Sequence, residues 1–372
     1  MTTVARKVPL MRPYVSEQAV DAVAATLRSG WIGQGPRVAE FEQRFRELVG
    51  APHAVAVNAC AAGLRLALAL AGVGPGDEVI TSPLTWQATN HPILEQYARP
   101  VFADVQTDTA NIDPSDVEHR ITERTRAILC VHWGGYPCDL DRLHAIARRH
   151  RLVVIEEAAE ALGATYRGRA IGSVSRFTAF SFYAFQTLTT AEGGMLTLQR
   201  ETDAEAARRR RWFGIDRKRR VPSVNGYFDY DTPEPGYGYH VTDVTAALGL
   251  AHLRDAPALV RRRQAIGARY RQALGRVPGV TLFAAADDRT HGYGLFTMHV
   301  QRRDEFCLAM RARGIDVSVV HVRNDQYSVF GGRRRDLPNL ERLSETYICI
   351  PVHNNLTDED VDHVIAGIEK GW

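Results

Sequence analysis

Residues 53–72 read HAVAVNACAAGLRLALALAG, a short apolar run, a polar turn at Asn58, and an alanine- and leucine-rich stretch closed by Gly72. The first run is too short for a stable helix and reads as a buried strand; the second reads as a helix that its glycine stops. The same punctuation recurs downstream. DEVITS (77–82), PVFADV (100–105), AILCVHW (127–133) and RLVVIEEA (151–158) are strand candidates, with DLDRLHAIARRH (139–150) as a helix between the last two. RFTAFSF (176–182) and GMLTL (194–198) add two more apolar strands, and SEQAVDAVAATLRSG (16–30) and GPRVAEFEQRFRELVG (35–50) are amphipathic helices. This alternation predicts an α/β fold, a mostly parallel sheet covered by helices on both faces, with ligands beyond the carboxyl ends of its strands.

Past residue 200 the pattern changes. ETDAEAARRRRWFGIDRKRR (201–220) reads as a charged helix, and residues 221–240 carry Gly, Pro, Tyr and Asp without a period. A structureless stretch of that length is expected to bind something or to reach another subunit. A long helical pattern covers 244–274, and helix and strand alternate again through GLFTMHV (294–300), RDEFCLAMRARG (303–314) and DVSVV (316–320). The expected division is a large domain, 1–245, including the N-terminal segment, and a smaller C-terminal α/β domain, 246–372.

The 372 residues carry a formal net charge of +3, which gives no electrostatic case for nucleic acid despite the arginine runs RRRRW and RKRR. Five scattered cysteines without a CxxC pair suit a reducing compartment, and the start MTTVARKVPLMRPYV lacks a signal core, so a cytoplasmic protein with no membrane partner is expected. No zinc-ligand spacing, Walker loop or GxSxG element occurs, and no metal is expected. Lys7, Lys218 and Lys370 are the only lysines, so a mechanism needing an amine has three candidates.

Several motifs in order, WIGQGP (31–36), VNACAAGLRLAL (57–68), TSPLTWQAT (81–89), VHWGGYPCDLDRLHAIA (131–147), VIEEAAEALGATYRGRAIGS (154–173), FSFYAFQTLTTAEGGML (180–196), GYGYHVTDVTAALGL (236–250) and PVHNNLTDEDVDHVI (351–365), closely resemble the DegT/DnrJ/EryC1/StrS family of sugar aminotransferases. The resemblance implies aminotransferase fold type I, a homodimer with a composite cleft, and pyridoxal phosphate (PLP) in the large domain. It also implies transfer of an amino group to a keto sugar carried on a nucleotide. Several implied site positions are altered. The family's Schiff-base lysine falls at Gln186, whose amide can neither form that bond nor act as the usual base. Glu157 takes the place of the aspartate that supports the pyridine nitrogen, one methylene longer. At the phosphate turn, alanines at 59 and 61 replace hydroxyl-bearing residues around Cys60, leaving backbone N–H groups of the turn, Ala61 included, and Ser181 to hold an anion. Gly238 stands where many relatives present an asparagine across the dimer, and His240 near their arginine. Trp86 resembles the aromatic that stacks on the pyridine ring.

The residues themselves suggest further roles. In HVRNDQYSVF (321–330), His321 is an imidazole able to exchange a proton, Arg323 can bind an anion, and Asn324 can orient hydroxyls. His132 and Trp133 follow a strand and are placed at the border of the cleft, and Tyr183 can present its OH there. Each has a packing alternative. The expected catalytic set is therefore His321, Glu157, Gln186 and Tyr183; the cofactor set Trp86, Glu157, Ser181, Cys60 and Ala61; and the substrate set Arg323, Asn324, His240 and His132. The expected protein is a divergent enzyme of secondary metabolism acting on a sugar, aminocyclitol or related polar ring, not by ordinary lysine-dependent transamination. Cofactor-independent cyclisation, elimination or isomerisation is one route; noncovalent use of PLP or pyridoxamine phosphate (PMP), as in lysine-lacking sugar dehydratases that carry histidine at the changed position, is another. A lysine-replaced aminotransferase and a noncatalytic partner subunit are the remaining readings.

Overall fold

In the computed structural model, which describes residues 6–372, all seven expected strands join one sheet, in the order His53–Val57, Gly194–Leu198, Phe177–Ser181, Val153–Glu157, Thr125–Val131, Glu78–Thr81, Arg99–Phe102. Neighbours are parallel except where Gly194–Leu198 runs antiparallel to both of its partners. Alternation along the strands divides the core in two. Ile128, Cys130 and Val154 belong to the core shared with the helices Pro36–Val49 and Leu140–His150, whereas Leu129, Val131 and Ile155 belong to the core shared with the helix Cys60–Leu70. The adjacent glutamates Glu156 and Glu157 therefore project to opposite faces of the sheet, which decides their separate chemistry.

The helix Pro36–Val49 begins at Gly35, which has no side chain to cap it. Asp243, buried in the first turn of the helix Asp243–Leu274, supplies the cap from a distance. Its carboxylate accepts from the backbone N–H groups of Gly35 (2.8 Å), Arg37 (3.2 Å) and Val38 (3.1 Å). The expected boundary at 245/246 falls inside the first turn of this 32-residue helix. Further along, Ile266, Tyr270 and Leu274 enter the core of a smaller sheet, Val280–Leu282, Phe296–Val300 and Tyr347–Ile350. Val8 joins that core and bridges Ile315, so the N-terminal segment returns to the C-terminal lobe.

One expected element is shorter than its sequence suggests. The charged helix spans Glu201–Arg211 and does not continue to residue 220, because Phe213 (φ 53°) and Gly214 (φ 80°) are left-handed and turn the chain. Its arginines are largely neutralised internally. Arg209 and Arg210 share Glu234 at 2.9 and 2.7 Å, and buried Arg211 meets Glu42 at 2.5 Å. Residues 221–240 hold a two-residue hairpin, Val221–Pro222 with Phe228–Asp229, and an isolated bridge from Gly238 back to Trp212. No helix among the described residues is long and apolar enough to cross a membrane.

Candidate functional site

The carboxyl ends of the parallel strands deliver Asn58, Ser82, His132, Ala158 and Phe182 to one edge of the sheet, and most of the expected residues gather there. Cys60 opens a helix whose N-cap, Ala59, makes no side-chain hydrogen bond, so the first-turn N–H groups present a positive end. Gly194 permits this tight turn, since a Cβ there would lie 2.7 Å from the Cys60 nitrogen.

Glu157 lies on the same face of the sheet. Its Oε1 accepts from the Ala159 N–H at 3.0 Å and from the Cys60 thiol at 3.5 Å. Burial, and then the charge of Glu160, push its carboxyl up to about 7. No cation hydrogen-bonds it among the described residues. On the next strand, two residues past Ala179, which pairs with Glu157, stands Ser181, whose Oγ accepts from the Tyr183 N–H at 3.2 Å. The following loop exposes Tyr183 and Phe185 and turns back at Gln186, whose N–H donates to the Tyr183 carbonyl at 3.0 Å.

His321 comes from the C-terminal lobe. Its ring centroid lies 6.0 Å from those of both Trp86 and Trp133. Its Nε2 is 3.2 Å from Glu160 Oε1, while Glu160 Oε2 accepts from the Gly134 N–H at 2.8 Å. Glu160 is a site residue that sequence reasoning missed. Its setting marks it: a Cβ at Gly135 or Gly294 would collide with Glu160 at 2.3 or 2.4 Å, so glycines from two segments make room for it. Three residues beyond Glu157 in VIEEAAEA, it was a carboxylate next to a motif already singled out, which was the available signal.

Four expectations are corrected. His132 is buried, its Nε2 2.7 Å from Glu156 Oε2, and its Nδ1 accepts from the Cys138 N–H at 3.1 Å. This arrangement places the proton on Nε2 and leaves no nitrogen free for a substrate. Arg323 is buried in a bidentate pair with Asp325, both contacts 2.7 Å, and also meets Glu341, so its guanidinium is already occupied. Asn324 is fully buried and hydrogen-bonded to Asn90 and Thr85. His240 is not brought to the cluster within one protomer; it packs on Trp212, ring centroids 3.8 Å apart, while Gly238 beside it accepts from the Asn58 amide at 3.3 Å.

The geometry tests the implied cofactor. A buried acid without a cation suits a protonated ring nitrogen, the uncapped turn with Ser181 suits a phosphate, and the exposed indole of Trp86 offers a face to a flat ring. The covalent tether does not fit, because position 186 carries an amide. Lys7 pairs with Asp316 at 3.8 Å in the C-terminal lobe, Lys370 follows the last helix, and the side chain of Lys218 lies outside the described residues. The residues present fit a noncovalently held group.

Residues 13–369 match the model of the DegT/DnrJ/EryC1/StrS aminotransferase family. The chain belongs to that family. The spore coat polysaccharide biosynthesis protein SpsC of Bacillus subtilis (strain 168) is 40% identical, the match covering 97% of this chain and 96% of SpsC. The crystal structure of the sugar aminotransferase CalS13 from Micromonospora echinospora superposes with a TM-score of 0.93 at 38% identity, covering 98% of this chain and 100% of that one. Spr1654 from Streptococcus pneumoniae, solved in PLP and PMP forms, matches at 30% identity and TM-score 0.91 over 98% of this chain, the match covering 98% of the PLP-form chain and 97% of the PMP-form chain. The family and the fold, aminotransferase fold type I with a smaller C-terminal lobe, stand as expected.

Proposed function

We propose that this chain is a sugar-modifying enzyme of secondary metabolism that holds PMP or PLP without a covalent bond and does not carry out lysine-dependent transamination. The substrate class we infer is a sugar, aminocyclitol or related polar ring, in keeping with relatives whose names refer to sugar aminotransfer and polysaccharide biosynthesis. The observation that carries the reading is Glu157, a buried carboxyl with no cation bonded to it among the described residues, at the site where position 186 offers only an amide. When bound, the cofactor supplies an electron-withdrawing ring that stabilises negative charge on the substrate carbon. Trp86 would stack on that ring, Glu157 would meet its nitrogen, and Ser181 with the N–H groups of Cys60 and Ala61 would take its phosphate. Gln186 would orient polar groups by its amide without taking a proton. His321 paired with Glu160 would hold or move the proton that a lysine would otherwise handle, with the Tyr183 phenol at the rim.

The test separates binding from bonding. PMP is expected to bind by equilibrium dialysis, whereas PLP followed by borohydride is expected to leave the intact mass unchanged. A stoichiometric adduct mapped to Lys218 would overturn this and establish a displaced lysine. Failure of both compounds to bind would favour cofactor-independent cyclisation, elimination or isomerisation, in which Glu157, with its carboxyl near 7, is itself the acid or base.

We also propose that the active form is a homodimer with a composite cleft. Trp86, Tyr183 and Phe185 are exposed beside the site and Val224, Tyr227 and Phe228 around the hairpin, apolar side chains that a second subunit would cover. Sedimentation across a range of concentrations is expected to show a dimer; a monomer at every concentration would refute the composite site.

A further inference from the structure

The two rings that meet at the site, Trp86 and His321, come from loops 235 residues apart in the chain, and neither loop fixes their separation by itself. Trp86 is exposed, and His321 has a left-handed backbone, φ 58°, uncommon for residues other than glycine. The contacts that join the loops converge on Asn324. Its backbone N–H donates to the Pro83 carbonyl at 2.7 Å, and its Nδ2 donates at 2.7 Å to the carbonyl of Thr85, the residue before Trp86. Its Oδ1 accepts from Asn90 Nδ2 at 2.9 Å, and Asn90 Oδ1 accepts in turn from Thr81 Oγ1 at 2.8 Å, at the end of a sheet strand. On the other side, Asp325 receives Arg323 bidentately and the Arg334 N–H at 2.9 Å, and Tyr347 donates its OH to the His321 carbonyl at 3.2 Å.

We infer that Arg323, Asn324 and Asp325 form a latch between the lobes, and that Asn324 is the positioning residue that sets where His321 stands relative to Trp86. Packing alone would accept any side chain of this volume. The contacts instead demand one group that donates to a carbonyl on one side and accepts from an amide on the other, which an asparagine provides and an aspartate does not. A carboxylate at 324 would set an acceptor against the Thr85 carbonyl at a fully buried position. The consequence for ligand binding rests on the reading of Trp86 as the stacking residue; the latch itself does not.

The test labels the protein with 5-fluorotryptophan and reads its five indoles by fluorine NMR, with Trp86→Phe assigning one resonance and His321→Ala showing how far loss of the imidazole moves it. Asn324→Asp is expected to shift or broaden the Trp86 resonance while those of Trp31, Trp212 and Trp372 stay in place, which certifies the fold. PMP affinity is expected to fall about tenfold or more, the scale of removing one buried hydrogen bond. Asn90→Asp, which removes the donor to Asn324 and keeps the acceptor for Thr81, serves if Asn324→Asp does not fold, and is expected to act in the same direction. A Trp86 resonance unmoved in the folded variants, or one that moves while PMP affinity stays unchanged, would overturn the assignment. If PMP binds not even the native protein while the Trp86 resonance moves as expected, the latch stands and the cofactor reading falls.

Discussion

Gln186→Lys is expected to capture PLP as a single borohydride-reducible adduct at position 186, yet to transfer an amino group at least roughly a hundredfold more slowly than a variant with the rest of the site restored. The capture follows from the loop. The backbone at 186 is held by its bond to the Tyr183 carbonyl, and the preceding carbonyl, of Phe185, accepts from Arg263 Nη2 at 3.3 Å. Burial lowers Arg263 itself to about 10, with only Glu160 acting in opposition. A lysine introduced near this buried cation is pushed toward its neutral, nucleophilic form. The slow transfer follows from what the substitution leaves untouched: a Glu157 one methylene long and engaged with Cys60, alanines at 59 and 61, and no side chain at 238. Reacting groups misplaced by about an ångström lose on the order of a hundredfold in rate.

The comparison is single-turnover transfer from glutamate to nucleotide-linked keto sugars, by Gln186→Lys and by that change combined with Glu157→Asp, Ala59→Ser and Gly238→Asn. The last substitution has a structural demand of its own, since a Cβ at 238 would lie 3.2 Å from the Phe213 ring, which must give way slightly. Equal rates for the two variants would show that the other departures are tolerated and that the chain is a lysine-replaced aminotransferase. An adduct in the restored site with no transfer to any sugar would support the divergent-enzyme reading.

The main sheet was legible in the sequence because its strands are short apolar runs bounded by turn residues, and the seven such runs before residue 200 became its strands; of the later runs, GLFTMHV gave a strand of the smaller sheet and DVSVV only an isolated bridge from Ser318 to Cys349. The floor of the site was legible for the same reason: Glu157, Ser181 and Cys60 lie at or just past strand ends, where an α/β fold presents its ligands. What sequence could not give was pairing across the chain. Arg323 and Asn324 carry the polar groups of a binding loop, and only the fold shows those groups spent on Asp325, Glu341, Thr85 and Asn90, the last two more than 230 residues away. His132 follows a strand end as a cleft residue would, but its ring turns to Glu156 on the far face of the sheet from Glu157. Arg263 gave no signal at all: it is one arginine among several on a long helix, and only its burial and its reach to the Phe185 carbonyl set it apart.

Replacing Glu157 by Gln is expected to make the protein more stable at pH 8 while abolishing its affinity for PMP. The carboxyl is raised from 4.5 to about 7 in the folded chain, chiefly by burial. Between those values the folded state keeps a proton that the unfolded chain has released. Raising the pH therefore favours unfolding by about 1.4 kcal/mol per unit across that window. The stability contribution is complete below pH 4.5, falls by about 3 kcal/mol by pH 7, and is constant above it. Glutamine has nearly the same shape, can still accept from the Ala159 N–H, and cannot ionise, so the variant avoids this loss. Urea midpoints from pH 4.5 to 8 are expected to coincide at the acid end, to diverge in favour of Glu157→Gln between pH 4.5 and 7, and to keep that difference at pH 8; taking the difference between the two proteins removes the titrating groups that do not interact with Glu157. PMP is expected to return stability to the native protein at pH 8, because a cationic ring nitrogen pairs with the ionised carboxylate, and to do nothing for the variant. A difference independent of pH would mean that Glu157 titrates as an ordinary carboxyl. Equal stabilisation of both proteins by PMP would place the ring nitrogen elsewhere. The expected pattern is that of a group retained for binding at a cost in folding, which is how an uncompensated buried acid persists at a site that needs it.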